Sequence, residues 1–228
     1  MLFNKEKGSY MQKVWEDEKQ IIFEENNLQY LQFKKLLEYP EIVHCYTLRS
    51  GNELDFPPIT KNKQKYQESC KKICDCLNNK NQLKVLHKQS TVSKTNISWK
   101  LTPDKIIKPY QTHTDNVEIV NEVKNLENVD GLLTNQKELA LLTTSADCIS
   151  LLFFDPVQKV VGSVHSGWKG TLAGICKNAV KKMQEQYQSK VQDIICCICP
   201  SIRACHFEVD EDVKQLFYNK YQNLEQID

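Results

Sequence analysis

A cysteine and a histidine at the two ends of one apolar segment are the residues most able to do chemistry in this chain. In SADCISLLFFDPVQKVVGSVHSGWKG, residues 145–170, Cys148 precedes one apolar run and His165 closes the next. Asp155-Pro-Val-Gln-Lys159 between the runs has the composition of a turn, so the segment is expected to fold back as a hairpin. A turn centred near Val157 pairs Ile149 with His165 and Cys148 with Ser166, and a slip of a residue or two keeps both side chains at the same mouth. Directly opposed residues have Cβ atoms about 5 Å apart, which suits two ligands of one ion. Each also has a plainer reading. A cysteine at the start of a buried strand is often only a packed thiol, and a strand-end histidine is often only hydrogen-bonded.

A third ligand would have to come from elsewhere, and the chain has five histidines: His44, His87, His113, His165 and His206. His113, in KPYQTHTDNV, lies between two strand-like runs, where a loop can aim it inward; loop histidines are also commonly solvated. Two imidazoles and a thiolate suit zinc, and three protein ligands leave one position for water, the arrangement of a catalytic site. Ser166-Gly167-Trp168-Lys169-Gly170 leads from the strand into a helix expected near Thr171. A helix start beside a lysine can hold an anion, though an ordinary strand–helix turn has the same composition.

The elements that must position these residues follow from the pattern. Strand-like runs occur at Lys105–Pro109, Val117–Val120, Leu139–Thr143, Ile149–Phe154, Lys159–Val164 and Asp193–Ile198, with a short strand near His206–Val209. ISLLFF is apolar on both faces and belongs inside a sheet. Leu172, Ile175, Cys176, Ala179, Val180 and Met183 form the stripe of an amphipathic helix, and another helix starts near Asp210. Upstream, Glu41–Leu48 reads as a strand and Lys63–Leu77 as a helix, while residues 1–29 read as an irregular segment or small hairpin. Strands with helices packed outside make the fold α/β or α+β with a mixed sheet.

Composition sets outer bounds. The 228 residues suffice for one substantial domain. With 30 Lys+Arg against 29 Asp+Glu, the net charge of +1 gives no electrostatic case for nucleic acid or a membrane surface. No run approaches the ~18 apolar residues of a membrane span. The charged N-terminus has no signal-peptide core, so the expectation is a cytoplasmic protein whose ten cysteines are reduced. Cys70 and Cys74 share a helix face, and Cys196, Cys197 and Cys199 lie along an apolar strand with Cys205 and His206 just beyond. Core packing is expected for these rather than a second metal site.

QTHTDNV (111–117), VDGLLT (129–134), SADC (145–148), HSGWKGT (165–171) and PSIRACHFEV (200–209), in this order, resemble the YfiH-like, laccase-domain (multicopper polyphenol oxidase-like) family of purine nucleoside phosphorylases. CYTLRSGN (45–52) resembles its N-terminal strand ending in arginine. The resemblance runs from about residue 30 to 222, making residues 30–228 one laccase-domain-like catalytic domain that lacks the family's C-terminal segment. It departs at Ser150, where proline is common, and at His206, where a second cysteine is common.

The resemblance implies a layered sandwich of mixed sheets flanked by helices, and His113, Cys148 and His165 as metal ligands. It implies catalytic positions at Arg49 and Asp130, and phosphate or substrate contacts at Trp168 and Lys169. The implied activity is phosphorolysis of adenosine, inosine or guanosine with one zinc ion. Adenosine deamination and cleavage of methylthioadenosine are associated activities. A purine nucleoside and phosphate are then the partners, and the oligomeric state is open. Three rivals remain: a cysteine hydrolase using Cys148 and His165, a copper-dependent polyphenol oxidase, and an inactive zinc-binding protein.

Overall fold

The computed structural model describes residues 11–48, 54, 56, 61–78 and 100–221. They fall into two compact units, Met1–Asp104 and Lys105–Asp228. In the first, β1 (Met11–Glu16), β2 (Gln20–Glu25), β3 (Leu28–Phe33) and β4 (Tyr46–Thr47) form an antiparallel sheet in that order. The polar N-terminal stretch is therefore a regular meander from Met11, where an irregular segment or a small hairpin was expected. Its alternation is read by burial: Ile21 and Phe23 of β2 and Leu28 and Tyr30 of β3 enter a core with Cys76. Of the strand expected at Glu41–Leu48 only Tyr46–Thr47 pairs, because the chain before it turns, with Ile42 donating to the Tyr39 carbonyl at 3.3 Å. After the four-residue helix α1 (Lys34–Leu37), α2 (Lys63–Leu77) has the bounds its spacing predicts, with Cys70, Cys74 and Cys76 buried.

The second unit is built on a five-stranded mixed sheet in the order β11-β9-β10-β7-β6. Its members are β6 (Val117–Ile119), β7 (Gly131–Thr134), β9 (Ile149–Asp155), β10 (Val160–Ser166) and β11 (Ile195–Ile198). β6 and β7 run parallel, and every other pair is antiparallel. A small parallel pair, β5 (Ile106–Ile107) and β8 (Ala140–Leu141), lies apart from this sheet. Both faces of the large sheet carry core. Leu133, Leu151, Phe153 and Val164 pack with Ile175, Ala179 and Met183, whereas Leu132 packs with Ile107, Val120 and Val129. That two-sided burial is why ISLLFF has no polar alternation.

The helix expected from Thr171 is two helices, α3 (Trp168–Ala173) and α4 (Ile175–Tyr187), divided at Gly174, whose φ of 95° is left-handed. α5 (Glu211–Lys220) begins where expected. The strand expected near His206–Val209 is absent: the chain turns there, with His206 and Phe207 both donating to the Arg203 carbonyl.

Candidate metal centre

The hairpin forms, and its register decides the site. His165 pairs with Ser150 and Ser166 with Ile149, one residue from the pairing expected for a turn centred on Val157. The connection is the four residues 156–159. Asp155 Oδ1 accepts from the Val157 and Gln158 amides at 2.8 and 3.0 Å, and Lys159 takes a left-handed φ of 57°. Side chains alternate along a strand, so a one-residue slip exchanges faces. With His165 opposite Ser150, Cys148 lies two residues further along on the same face; the expected pairing would have put the two on opposite faces.

Ligand-capable atoms of His113, Cys148 and His165 all lie within 4.8 Å of one another. The two imidazole rings stand 4.9 Å apart and nearly perpendicular. His165 is buried, Cys148 half-buried and His113 exposed, so the cluster opens to solvent on the His113 side. Among the described residues no other group of three such side chains converges in this way.

Asp130, fully buried immediately before β7, organises two of the three. Its Oδ1 accepts from His165 Nδ1 at 2.8 Å and from the His113 amide at 3.1 Å. Its Oδ2 accepts from the Thr112 and Thr114 amides and from Thr114 Oγ1. Burial by itself would raise the Asp130 pKa. The hydrogen bonds from His165, Thr114 and Thr112 outweigh it and hold the carboxyl at about 2. An ionised carboxylate only accepts, so His165 carries a proton on Nδ1, which leaves Nε2 as the ring nitrogen that could face a metal. Three successive amides turned toward one carboxylate also account for the left-handed φ of 64° at His113, a region that non-glycine residues seldom adopt.

Two glycines of the HSGWKG motif let the pieces meet. A Cβ at Gly167 would stand 2.6 Å from His113 Cδ2 and 3.4 Å from Cys148 Sγ. A Cβ at Gly170 would stand 2.6 Å from the Thr114 carbonyl oxygen. Gln111, which the sequence did not single out, ties the His113 loop to the one that ends at Cys148. Its side-chain amide donates to the Thr144 carbonyl and accepts from the Thr144 amide, both at 2.8 Å. A side-chain amide that copies a backbone pairing leaves no mark in composition or spacing.

Trp168 and Lys169 stand in the first turn of α3, immediately after Gly167. The Lys169 ammonium lies 5.4 Å from the centroid of the half-buried Trp168 ring, a cation–π distance. Arg49 lies outside the described residues. Burial, with the Asp147 and Asp130 carboxylates adding to it, pushes the Cys148 thiol up. Two imidazoles and a thiol gathered in this way, one imidazole oriented by a carboxylate, are a donor set that fits zinc.

A mixed sheet with a His–Cys–His cluster at the mouth of its central hairpin defines an α/β protein with a candidate metal centre. The chain belongs to the family described as multi-copper polyphenol oxidoreductase laccase, whose model matches residues 77–228. A purine nucleoside phosphorylase of Bacteroides thetaiotaomicron is 30% identical over 125 residues, 50% of this chain and 46% of that one. Purine nucleoside phosphorylase YlmD of Bacillus subtilis is 42% identical over 88 residues, 39% of this chain and 32% of that one. The chain thus spans about half or less of the length of these relatives. The crystal structure of the Bacillus licheniformis hypothetical protein YfiH superposes with a TM-score of 0.60 at 24% identity, covering 91% of this chain and 70% of that one. That likeness is one of fold. Among the described residues no helix is long and apolar enough to cross a membrane.

Proposed function

We propose that this chain carries the zinc centre of a purine nucleoside phosphorylase, with His113, Cys148 and His165 as ligands. The observation that carries the reading is the convergence of those donors around an Asp130 carboxylate that fixes the His165 tautomer. The names of the relatives supply the substrate class. In phosphorolysis a phosphate oxygen bonds to the sugar C1′ as the C1′–N9 bond breaks, giving ribose 1-phosphate and the free purine. When bound, zinc would supply a Lewis acid at the open, solvent-facing side of the cluster.

The chain's own residues do the rest. Asp130 holds Nδ1–H of His165 and orders the 112–114 loop. The Lys169 ammonium, next to the site on α3, offers a positive charge to phosphate, and the Trp168 ring offers a flat apolar face to the base. Adenosine deamination and methylthioadenosine cleavage belong to the same proposal, since one pocket that holds a purine nucleoside could serve all three.

Two rival readings have less support. A cysteine hydrolase needs a ready thiolate, and burial pushes the Cys148 thiol the other way. A multicopper oxidase needs more imidazoles than five histidines provide.

The test pairs elemental analysis with an assay of hypoxanthine release from inosine and phosphate. We expect one zinc per chain, phosphate-dependent release, and loss of both in His113→Ala. Lys169→Ala should raise the phosphate KM while leaving zinc content unchanged. Full zinc in His113→Ala would overturn the ligand set. Zinc without phosphorolysis would leave a zinc-binding protein and remove the enzyme.

A further inference from the structure

The three proposed ligands are joined pair by pair, each pair by a different part of the fold. The β9–β10 hairpin carries Cys148 and His165 at one mouth, and Asp130 ties the His113 loop to His165. The remaining pair, His113 and Cys148, belongs to two stretches whose backbones part. β5 and β8 run side by side, and the Leu142 amide still donates to the Ile107 carbonyl at 2.9 Å. Pro109 follows, with no amide to carry the ladder on. Beyond it the amides of Tyr110, Thr112, His113 and Thr114 turn the other way, to the Leu126 carbonyl and the Asp130 carboxylate.

Only the Gln111 side chain reaches back. Its Nε2 donates to the Thr144 carbonyl and its Oε1 accepts from the Thr144 amide, both at 2.8 Å, and Oε1 also accepts from Thr144 Oγ1 at 3.1 Å. Among the described residues these are the hydrogen bonds that join 110–114 to 142–148. Both ends of the brace lead directly to a ligand. Gln111 is followed by Thr112 and His113, whose amides Asp130 fixes. Thr144 is followed by Ser145, whose hydroxyl donates to the Cys148 carbonyl and closes that stretch into one turn.

We propose, on the zinc reading above, that Gln111 is a positioning residue of the metal centre, setting the separation of His113 from Cys148 before an ion arrives. An amide that donates to and accepts from one residue resists sliding as well as separation. Without it the hairpin and the Asp130 network would persist, but the Cys148 turn would be free to draw away from His113. The loss then falls on metal affinity and ligand geometry rather than on the fold.

Zinc dissociation constants are measured by competition with a chromophoric chelator for the full chain, Gln111→Met, Gln111→Asn and Thr143→Val. Cobalt(II) absorption spectra and denaturant melts of the metal-free proteins accompany them. Methionine keeps the reach and removes the amide; asparagine keeps the amide and is one methylene shorter. Thr143→Val removes the neighbouring Thr143–Ser163 hydroxyl pair, 2.8 Å apart, and is a structural loss on the same stretch. We expect both Gln111 variants to bind zinc about tenfold more weakly and to change the cobalt ligand-field bands. Thr143→Val should unfold at lower denaturant yet keep the parent Kd and bands. Circular dichroism confirms that each variant is folded. A parental Kd and spectrum in the folded Gln111 variants, or an equal loss in Thr143→Val, would overturn the proposal. A parent chain that binds no zinc would overturn the zinc reading and this inference with it.

Discussion

The Asp130 carboxylate accepts from one ring nitrogen, three backbone amides and a hydroxyl, and no neutral side chain of its size can accept all five. In Asp130→Asn the amide nitrogen would face donors, and His165 would lose the partner that holds its tautomer. We expect zinc affinity to fall about 10–100-fold, measured by competition with a chromophoric chelator. Unchanged affinity would assign Asp130 to the fold alone. The same carboxyl gives a pH signature to the metal-free protein. Its folded pKa of about 2 lies below the ordinary 3.8, so its stabilisation is complete above pH 4 and is lost as pH falls toward 2. That loss amounts to about 2 kcal/mol. Denaturant melts of the chelated protein across that window should show it, and Asp130→Asn should lack that component.

At the scale of elements, the hairpin and the glycine approach decide what reaches what. Gly167→Ala would drive a methyl into the His113 ring rather than into a flexible chain end. We expect a cost of about 1–3 kcal/mol in stability together with a loss of zinc affinity. If zinc titration of the folded variant matched the parent, the close approach would not matter to the site. Much of this level was legible in the sequence. The apolar run and its turn marked β9 and β10, and the helical stripe marked α4. The one-residue register was not, because it depends on the Asp155 side chain capping a four-residue turn, and composition does not reveal where a turn closes. β7 was also missed by patterning: GLLT is buried throughout, so it has no alternation to read. Nothing local distinguishes His113 as a member of the cluster; its backbone is set by the Asp130 carboxylate, which lies elsewhere in the sequence.

At the scale of the molecule, the proposed ligands come from three separate stretches of Lys105–Asp228, so no preformed site exists in the unfolded chain. Zinc should then bind the folded state alone. At a hundredfold excess over its Kd it should stabilise the protein by about 2.7 kcal/mol. Thermal melts with and without zinc should show this shift in the parent and not in Cys148→Ala. An equal shift in the variant would place the stabilising ion elsewhere. Family membership and the YfiH-like fold agree with the motif order seen in the sequence.

The left-handed backbone of His113 would set how quickly an ion proposed to bind there is taken up. An imidazole-bearing residue visits that region only briefly in a free loop. The hairpin can present Cys148 and His165 as soon as it zips, whereas His113 waits for the carboxylate to gather its three amides. Were an ion to bind there, its capture would be a sequence in time, with two donors meeting it first and the third arriving as a latch. Whatever loosens that latch slows arrival as well as hastening escape.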